Sequence, residues 1–242
     1  MKKELLNYNV YKGTLSQIDL EKNKIINTIN PHSYCVSKQD KAFKMALKAS
    51  DILLPDGVGI VWAEKFLNQN VIQKIAGYDL FLFLMQQLEK DKGTAFFLGA
   101  SNDTLNKIEA NCKSDFPNVT FEGYSPPYKA EFTTQDSKAM CDAVNSTKSD
   151  ILFVGITAPK QEKWINQYKN HLKVKNICCI GAVFDFYAGN INRSSPFWIK
   201  LGLEWLPRFL KQPKRLFKRN FVSTPKFVLE VLSFKLFGKG IL

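Results

Sequence analysis

The feature of this sequence that most constrains its fold is an alternation of short apolar runs with helix-like segments up to about residue 190. We predict strands at KIINTI (24–29), DILLP (51–55), TAFFLGAS (94–101), NVTFEGY (118–124), DILFVGIT (150–157) and KNICCIGAVFDF (175–186). Helices are predicted at 37–49, 102–113, 134–148 and 161–168, with Asn102 or Asp103 capping the second. This alternation predicts an α/β fold: a Rossmann-like, mostly parallel sheet with helices on both faces.

Polar residues follow several of these predicted strands. Ligands of parallel sheets bind beyond the carboxyl ends of the strands, so we expect the site among Thr28, Asn30, Asp56, Gly99, Thr157, Gln161 and Asp185. Asp56 follows Pro55 and begins Asp-Gly-Val-Gly, a pattern that suits a turn residue, a helix cap or a catalytic acid. The two glycines would let backbone and ligand approach that carboxylate closely.

Positive charge is concentrated near the end of the sequence. The net charge is +12, and residues 193–242 hold 11 lysines and arginines against 2 glutamates, which leaves only three net charges for residues 1–192. We therefore predict an α/β catalytic core over 1–192 and a helical, basic, aromatic-rich appendage over 193–242. A local excess of positive charge implies a local anionic partner.

Large apolar residues recur at helical spacing in this appendage, with lysines and arginines between them: Trp198, Leu201, Trp205 and Phe209. Pro207 and Pro213 are predicted to divide it into short helices. Two interpretations remain open, an interfacial helix on an anionic membrane or a helix docked on the core with a solvated basic face. Nucleic acid is not expected, because no helix-turn-helix, zinc-finger or RNP pattern is present.

The five cysteines show no C-x-x-C spacing, and only two histidines accompany them. Buried free thiols are therefore expected rather than a metal site. No apolar run approaches the roughly 18 residues that span a bilayer, and MKKELLNYNV lacks the apolar core of a signal peptide. We expect a cytoplasmic location.

Several phosphate and nucleophile motifs are absent: G-x-G-x-x-G, the P-loop, G-x-S-x-G and the metal-binding D-x-D. If the substrate is a nucleotide sugar, positive charge other than a metal must neutralise the leaving diphosphate. The available source is the arginine-rich appendage, with Arg208, Arg215 and Arg219.

Seven blocks follow in a fixed order: T-I-N (28–30), LLPDGVGI (53–60), AGYDL (76–80), FFLGAS (96–101), APKQEKW (158–164), GAVFDFYAG (181–189) and GLEWLPRFLKQPKRLFKR (202–219). Each block alone is a weak signal. Together they resemble the WecG/TagA/CpsF glycosyltransferases (glycosyltransferase family 26) over about residues 24–219. The most specific are P-D-G-x-G, P-K-Q-E and G-L-E-W-x-x-R.

This resemblance implies transfer of a sugar, often N-acetylmannosamine or its uronic acid, from a UDP donor with inversion. The implied acceptor is a polyprenyl-diphosphate-linked GlcNAc at the cytosolic membrane face, and no metal or other cofactor is expected. The resemblance also favours the membrane interpretation of the appendage, which would close over the site as a peripheral contact with the inner face of the cell membrane. It leaves open whether the protein is a homo-oligomer.

The resemblance also assigns roles to individual residues. Asp56 matches the proposed general base on the acceptor hydroxyl, with Thr28 and Asn30 lining the same pocket. Gln161 would lie near the sugar or diphosphate, and Asp185 would hydrogen-bond the uracil. Arg208 and Arg215 match arginines of the family's appendage, and Lys74 and Arg219 are the other positively charged residues expected to bind the substrate.

Four positions depart from the family pattern. Lys74 replaces an arginine, which reduces a bidentate contact to a point charge. Thr157 replaces a glycine, Arg193-Ser-Ser-Pro replaces R-A-P, and Lys218 replaces an arginine. The donor sugar therefore stays open, and UDP-glucose or another hexose is an alternative. A non-catalytic, nucleotide-binding membrane-docking module is an alternative of a different class.

Overall fold

The computed structural model describes residues 4–20, 23–192, 194–195, 197–198, 202–238 and 240–241, with the side chain of Arg215 left out. Its strands are β1 (Lys24–Ile29), β2 (Ile52–Pro55), β3 (Thr94–Gly99), β4 (Thr120–Tyr124), β5 (Ile151–Gly155) and β6 (Asn176–Cys179). They form one sheet in the order β2-β1-β6-β5-β3-β4. Every neighbouring pair is parallel, as the sequence predicted.

The α-helices up to residue 187 are α1 (Pro31–Gln39), α2 (Lys41–Lys48), α3 (Val58–Asn68), α4 (Gly77–Asp91), α5 (Asn102–Asp115), α6 (Thr134–Asn145), α7 (Lys160–Tyr168) and α8 (Val183–Tyr187). Short 3-10 helices occupy Leu15–Gln17 and Lys169–His171. Successive strand residues face opposite sides, so Phe97 and Phe153 join one buried cluster while Phe96 and Leu152 join another. The prediction of helices on both faces is therefore confirmed.

Three sequence-based boundaries are wrong. The predicted strand over 175–186 ends at Cys179, and Asp185 lies on α8, because Gly181 takes a positive φ of 53° and turns the chain into that helix. The predicted helix over 37–49 is two helices, divided at Asp40, whose side chain caps α2. Ser101 caps α5 in place of Asn102 or Asp103, since its side chain accepts from Thr104 N.

The appendage continues with α9 (Trp205–Lys211), α10 (Pro213–Phe217), a π-helix (Lys218–Ser223) and α11 (Thr224–Phe237). Pro213 begins α10 after Gln212 leaves the helical conformation, which confirms one predicted break. The predicted break at Pro207 is wrong, because this proline lies in the first turn of α9, where its missing N–H costs no helical hydrogen bond.

Helix α11 packs into the protein core. Phe227 and Val231 are fully buried in a cluster with residues of α1 and α3, and the Phe227 ring meets Tyr34 edge-on at 5.3 Å between centroids. The carboxyl group of the buried Glu230 accepts hydrogen bonds from Tyr34 Oη and Lys38 Nζ, at 2.9 and 3.0 Å. Docking on the core is thus confirmed for α11, while the division at residue 192 stays a prediction.

The other face of α11 is apolar and exposed, with Leu229, Leu232 and Leu236 on the surface. Among the described residues, no helix is long and apolar enough to cross a bilayer. All five cysteines are buried and free, as predicted.

Candidate active site

The direction of the chain changes between two neighbouring strands. From β3 the chain continues to β4 on one side, and from β5 it continues to β6 on the other, so a crevice opens beyond their carboxyl ends. Gly99 and Gly155 end these strands side by side. A side chain at Gly99 (φ 130°) would come within 2.7 Å of the Gly155 backbone, so this close approach requires glycine. We call this region the strand-end crevice.

The P-K-Q-E block forms the first turn of α7 beside this crevice, directly after the cis peptide bond between Ala158 and Pro159. Gln161 and Glu162 are both only 4% exposed. Gln161 Nε2 donates to Glu162 Oε1 at 2.9 Å. Gln161 Oε1 and Glu162 Oε2 have no hydrogen-bond partner within the described part of the chain.

Burial raises the pKa of Glu162 to about 7, although the hydrogen bond from Gln161 and the residue's own backbone N–H oppose that rise. Glu162 is not among the site residues that the sequence predicts. The sequence does place an acid beside a glutamine in the first turn of a predicted helix. It does not show which side of that helix is buried, so it could not show that Glu162 is withdrawn from water.

Asp185 lies on α8 at the same edge of the sheet and is half-buried. The neighbouring Phe186 carries the Arg208 guanidinium over its ring, 4.9 Å from the centroid. A predicted arginine of the appendage is therefore close to the helix that carries Asp185.

Asp56 follows β2 at the other end of the site and is partly buried. Its backbone N–H donates to Ile29 O at 2.9 Å. Asn30 Oδ1 accepts from His32 N and Ser33 N and so caps α1. The Asn30 side chain also hydrogen-bonds the Asp56 carboxyl group. Because its oxygen is used by the cap, its amide N–H is the group that donates to Asp56.

The P-D-G-x-G glycines shape this end of the site. Gly57 takes a φ of 103°, which glycine adopts without strain. A side chain at Gly59 would lie 2.7 Å from Pro31 Cγ, so the missing side chain lets α3 pack against the start of α1. Gly57 therefore shapes the turn directly after Asp56, and Gly59 brings α3 close to the residue that follows Asn30.

Three charged side chains act on Asp56: Lys74, Glu204 and Arg219. Lys74 Nζ pairs with Glu204 Oε2 at 3.0 Å, with both side chains mostly buried. Burial is the main cause of a raised pKa at Asp56, and the negative charge of Glu204 adds to it. The positive charges of Arg219 and Lys74 and the hydrogen bond from Asn30 oppose the rise. We call Asn30, Asp56, Lys74, Glu204 and Arg219 the acid pocket.

The structure brings together only some of the predicted site residues. Asn30, Asp56, Lys74 and Arg219 meet in the acid pocket, with Thr28 half-buried on β1 beside Leu54. Gln161 follows β5, three strand spacings or about 14 Å from β2. The side chain of Arg215 lies outside the described residues.

Two residues were not predicted as site residues: Glu204 of the acid pocket, and His32, which lies near Arg219 of that pocket. Glu204 belongs to the G-L-E-W block, whose pattern indicates the family without marking this carboxyl group as a site residue. His32 Nδ1 lies 2.8 Å from Ser223 Oγ of the π-helix, and burial, Arg219 and Lys218 lower its pKa. Both contacts join distant parts of the sequence, so local pattern could not show them.

A profile of the glycosyl transferase WecG/TagA/CpsF family matches residues 6–240. Two similar proteins are both named N-acetylglucosaminyldiphosphoundecaprenol N-acetyl-beta-D-mannosaminyltransferase. The one from Bacillus spizizenii strain W23 is 32% identical over 215 residues, which cover 89% of this chain and 81% of the relative. The one from Bacillus subtilis strain 168 is 33% identical over 216 residues, with the same shares. The profile match and these relatives show that the chain belongs to the WecG/TagA/CpsF family of glycosyl transferases.

Proposed function

We propose that this enzyme transfers N-acetylmannosamine, or its uronic acid, from a UDP donor to a GlcNAc residue linked to polyprenyl diphosphate. The proposed transfer inverts the anomeric centre and needs no metal. The names of both relatives support this sugar and this acceptor. The observation that carries the proposal is the Asp56 carboxyl group, half-enclosed at a strand end between two positive charges.

Asp56 is proposed as the general base. It takes the proton of the acceptor hydroxyl while that oxygen bonds to the anomeric carbon and the bond from that carbon to the UDP oxygen breaks. A carboxylate whose pKa is raised by burial is a stronger base than an ordinary aspartate. Its hydrogen bond to Asn30 fixes its orientation. Direct displacement also requires the two reacting atoms about 3–3.5 Å apart and in line.

The leaving diphosphate is proposed to be stabilised by the positive charges of the site. Arg219 and Lys74 act on Asp56, and Arg208 is positioned over Phe186. Such fixed charges favour the transition state because negative charge develops on the diphosphate as the bond breaks. Arg215 is proposed to act with them.

The strand-end crevice is proposed to hold the nucleotide. Asp185 would accept a hydrogen bond from the uracil, and Gln161 would contact the sugar or the diphosphate. Thr28 would line the acceptor side beside Asp56. In this arrangement the donor spans the strand ends from β5 towards β2, which fits the separation of the two groups of residues.

An anionic membrane is proposed as the surface that α11 and its neighbours contact. The exposed leucines of α11 supply an apolar face, and most of the chain's excess positive charge lies in the same segment. Deleting residues 193–242 would also remove Phe227 and Val231 from the core, so point variants are the better test. Leu236→Asp should lower binding to anionic liposomes about tenfold. Met45→Asp, at a similarly exposed position on α2, is the matched control and should not change binding.

The transfer itself is tested with a panel of UDP-sugars and a short-chain lipid-diphosphate-GlcNAc, with products identified by mass. The expected product carries one added N-acetylhexosamine or its uronic acid, and Asp56→Asn should lose it. A product formed only from UDP-glucose would establish the hexose alternative. Undiminished turnover by Asp56→Asn would show that another group is the base.

A further inference from the structure

Two of the three side-chain oxygens of the Gln161–Glu162 pair lack a hydrogen-bond donor among the residues described. Gln161 Nε2 already donates to Glu162 Oε1, but Gln161 Oε1 and Glu162 Oε2 are buried and receive no hydrogen bond within the described part of the chain. Buried oxygens with no donor are rare and costly in folded proteins. The two side chains are already joined by the hydrogen bond from Gln161 Nε2, so one proton on Glu162 Oε2, donated to Gln161 Oε1, would satisfy both atoms.

No positive charge compensates Glu162 within the described structure. Lys160, in the same turn, lies over the Phe132 ring and donates to Lys129 O, and Lys163 pairs with Asp40 at 3.0 Å. The titratable group that faces Glu162 from the sheet is the Cys179 thiol, whose own pKa is raised by burial and by Glu162. These surroundings favour the neutral form of the carboxyl group.

We propose that Glu162 is a positioning residue that holds the Gln161 amide as a neutral carboxylic acid. Gln161 Nε2 donates to Glu162 Oε1, and the acid proton on Glu162 Oε2 donates to Gln161 Oε1. This reciprocal pair of hydrogen bonds fixes the positions of the oxygen and the nitrogen of the Gln161 amide. It leaves the second N–H of Gln161 as the group that donates to an acceptor oxygen, that of a phosphate or a sugar.

The inference rests on the proposed function only in taking Gln161 as a residue that contacts substrate. It adds a consequence for pH. When Glu162 loses its proton, a carboxylate oxygen replaces the hydroxyl opposite Gln161 Oε1, so the two oxygens repel and the amide is no longer held. Because burial places the pKa of Glu162 at about 7, kcat/KM should fall as the pH rises through that region.

Two substitutions, Glu162→Gln and Glu162→Ala, test whether Glu162 acts as a neutral acid or as a carboxylate. The glutamine side chain has the same shape as the neutral acid, and its amide can accept from and donate to Gln161. Glu162→Gln should therefore keep kcat/KM within about threefold at pH 6 and lose the alkaline decline. Glu162→Ala should lower kcat/KM about 10- to 100-fold, because the amide is released.

Glu109→Gln, on the surface of α5, is the charge-matched control. If Glu162→Gln is as damaging as Glu162→Ala, the carboxylate is needed and the proposal is wrong.

A second measurement does not depend on activity. The ¹³C signal of the Glu162 carboxyl carbon, identified by its absence from the spectrum of Glu162→Gln, is followed from pH 4 to 9 in the full-length protein. A midpoint near 7 is expected, and a midpoint near the ordinary glutamate value would overturn the proposal. If this midpoint is near 7 but wild type transfers no sugar, the proposed function fails and the neutral Glu162 stands.

Discussion

The acid pocket and the Gln161–Glu162 pair each contain a carboxyl group withdrawn from water at the same edge of the sheet. Burial raises the pKa of both. At Asp56, two positive charges and an amide oppose that rise, whereas at Glu162 hydrogen bonds alone oppose it. This difference matches the two proposed roles, in which Asp56 ionises and takes a proton while Glu162 stays neutral and holds the Gln161 side chain.

The largest expected effect comes from neutralising Asp56, and the matching substitution at Glu162 should have little effect. Asp56→Asn should lower kcat/KM about 100- to 10,000-fold, because the amide cannot accept the acceptor proton. Glu162→Gln should lower it by no more than about threefold at pH 6. Both are measured with the lipid-diphosphate-GlcNAc acceptor. Similar losses from the two substitutions would remove the distinction between the two regions.

The acid pocket is next tested by changing the charges around Asp56. Arg219→Gln should lower kcat/KM about 100-fold, since it removes positive charge from the leaving diphosphate. It should also move the acidic limb of the pH–rate profile to higher pH, because the pKa of Asp56 rises without that charge.

Glu204→Gln should move the same limb to lower pH, because it removes the negative charge that raises the pKa of Asp56. The substitution also leaves Lys74 without its ion-pair partner, which acts in the same direction. The pH–rate profiles of the two variants are compared with that of wild type. Limbs that move together would show that Asp56 is not the group that titrates.

The Gln161–Glu162 pair should affect stability as a function of pH. The pKa of Glu162 is about 7 in the folded protein against an ordinary 4.5. The stability that its proton contributes is therefore fully present below pH 4.5 and lost as the pH rises through 7. We compare the unfolding free energy of wild type with that of Glu162→Gln. The difference, wild type minus variant, should fall by at most about 1.4 kcal/mol per pH unit as the pH rises from 4.5 to 7. Urea unfolding at several pH values measures it, and a flat difference would contradict it.

The smallest expected effect concerns the lysine that departs from the family pattern. Lys74→Arg should keep the ion pair with Glu204 and offer a second N–H to the diphosphate, so UDP should bind about threefold more tightly. Lys74→Met should weaken the binding of UDP. Calorimetric titration with UDP measures both, and equal affinities would place Lys74 outside the diphosphate site.

Sequence predicted the parallel sheet, because its strands are buried on both faces and appear as continuous apolar runs such as DILFVGIT. It also placed Asp56, Asn30 and Gln161 at strand ends. It did not show that α11 belongs to the core, because a helix with one buried face and one exposed apolar face has no simple polar–apolar alternation. The Lys74–Glu204 pair joins residues 130 positions apart in the sequence, so only the tertiary fold shows it.

Glu230 fixes the rotation of α11 about its own axis, because Tyr34, Lys38 and the backbone N–H of Ile241 bond to its carboxyl group. The same stripe of leucines is therefore presented to any surface that α11 meets. In the proposed arrangement, the height of Asp56 above the lipid is then a constant of the fold. The enzyme would then select its acceptor by length. A lipid-linked sugar is used when its hydroxyl lies at the height of Asp56, whereas the terminal hydroxyl of a longer lipid-linked sugar chain lies beyond Asp56.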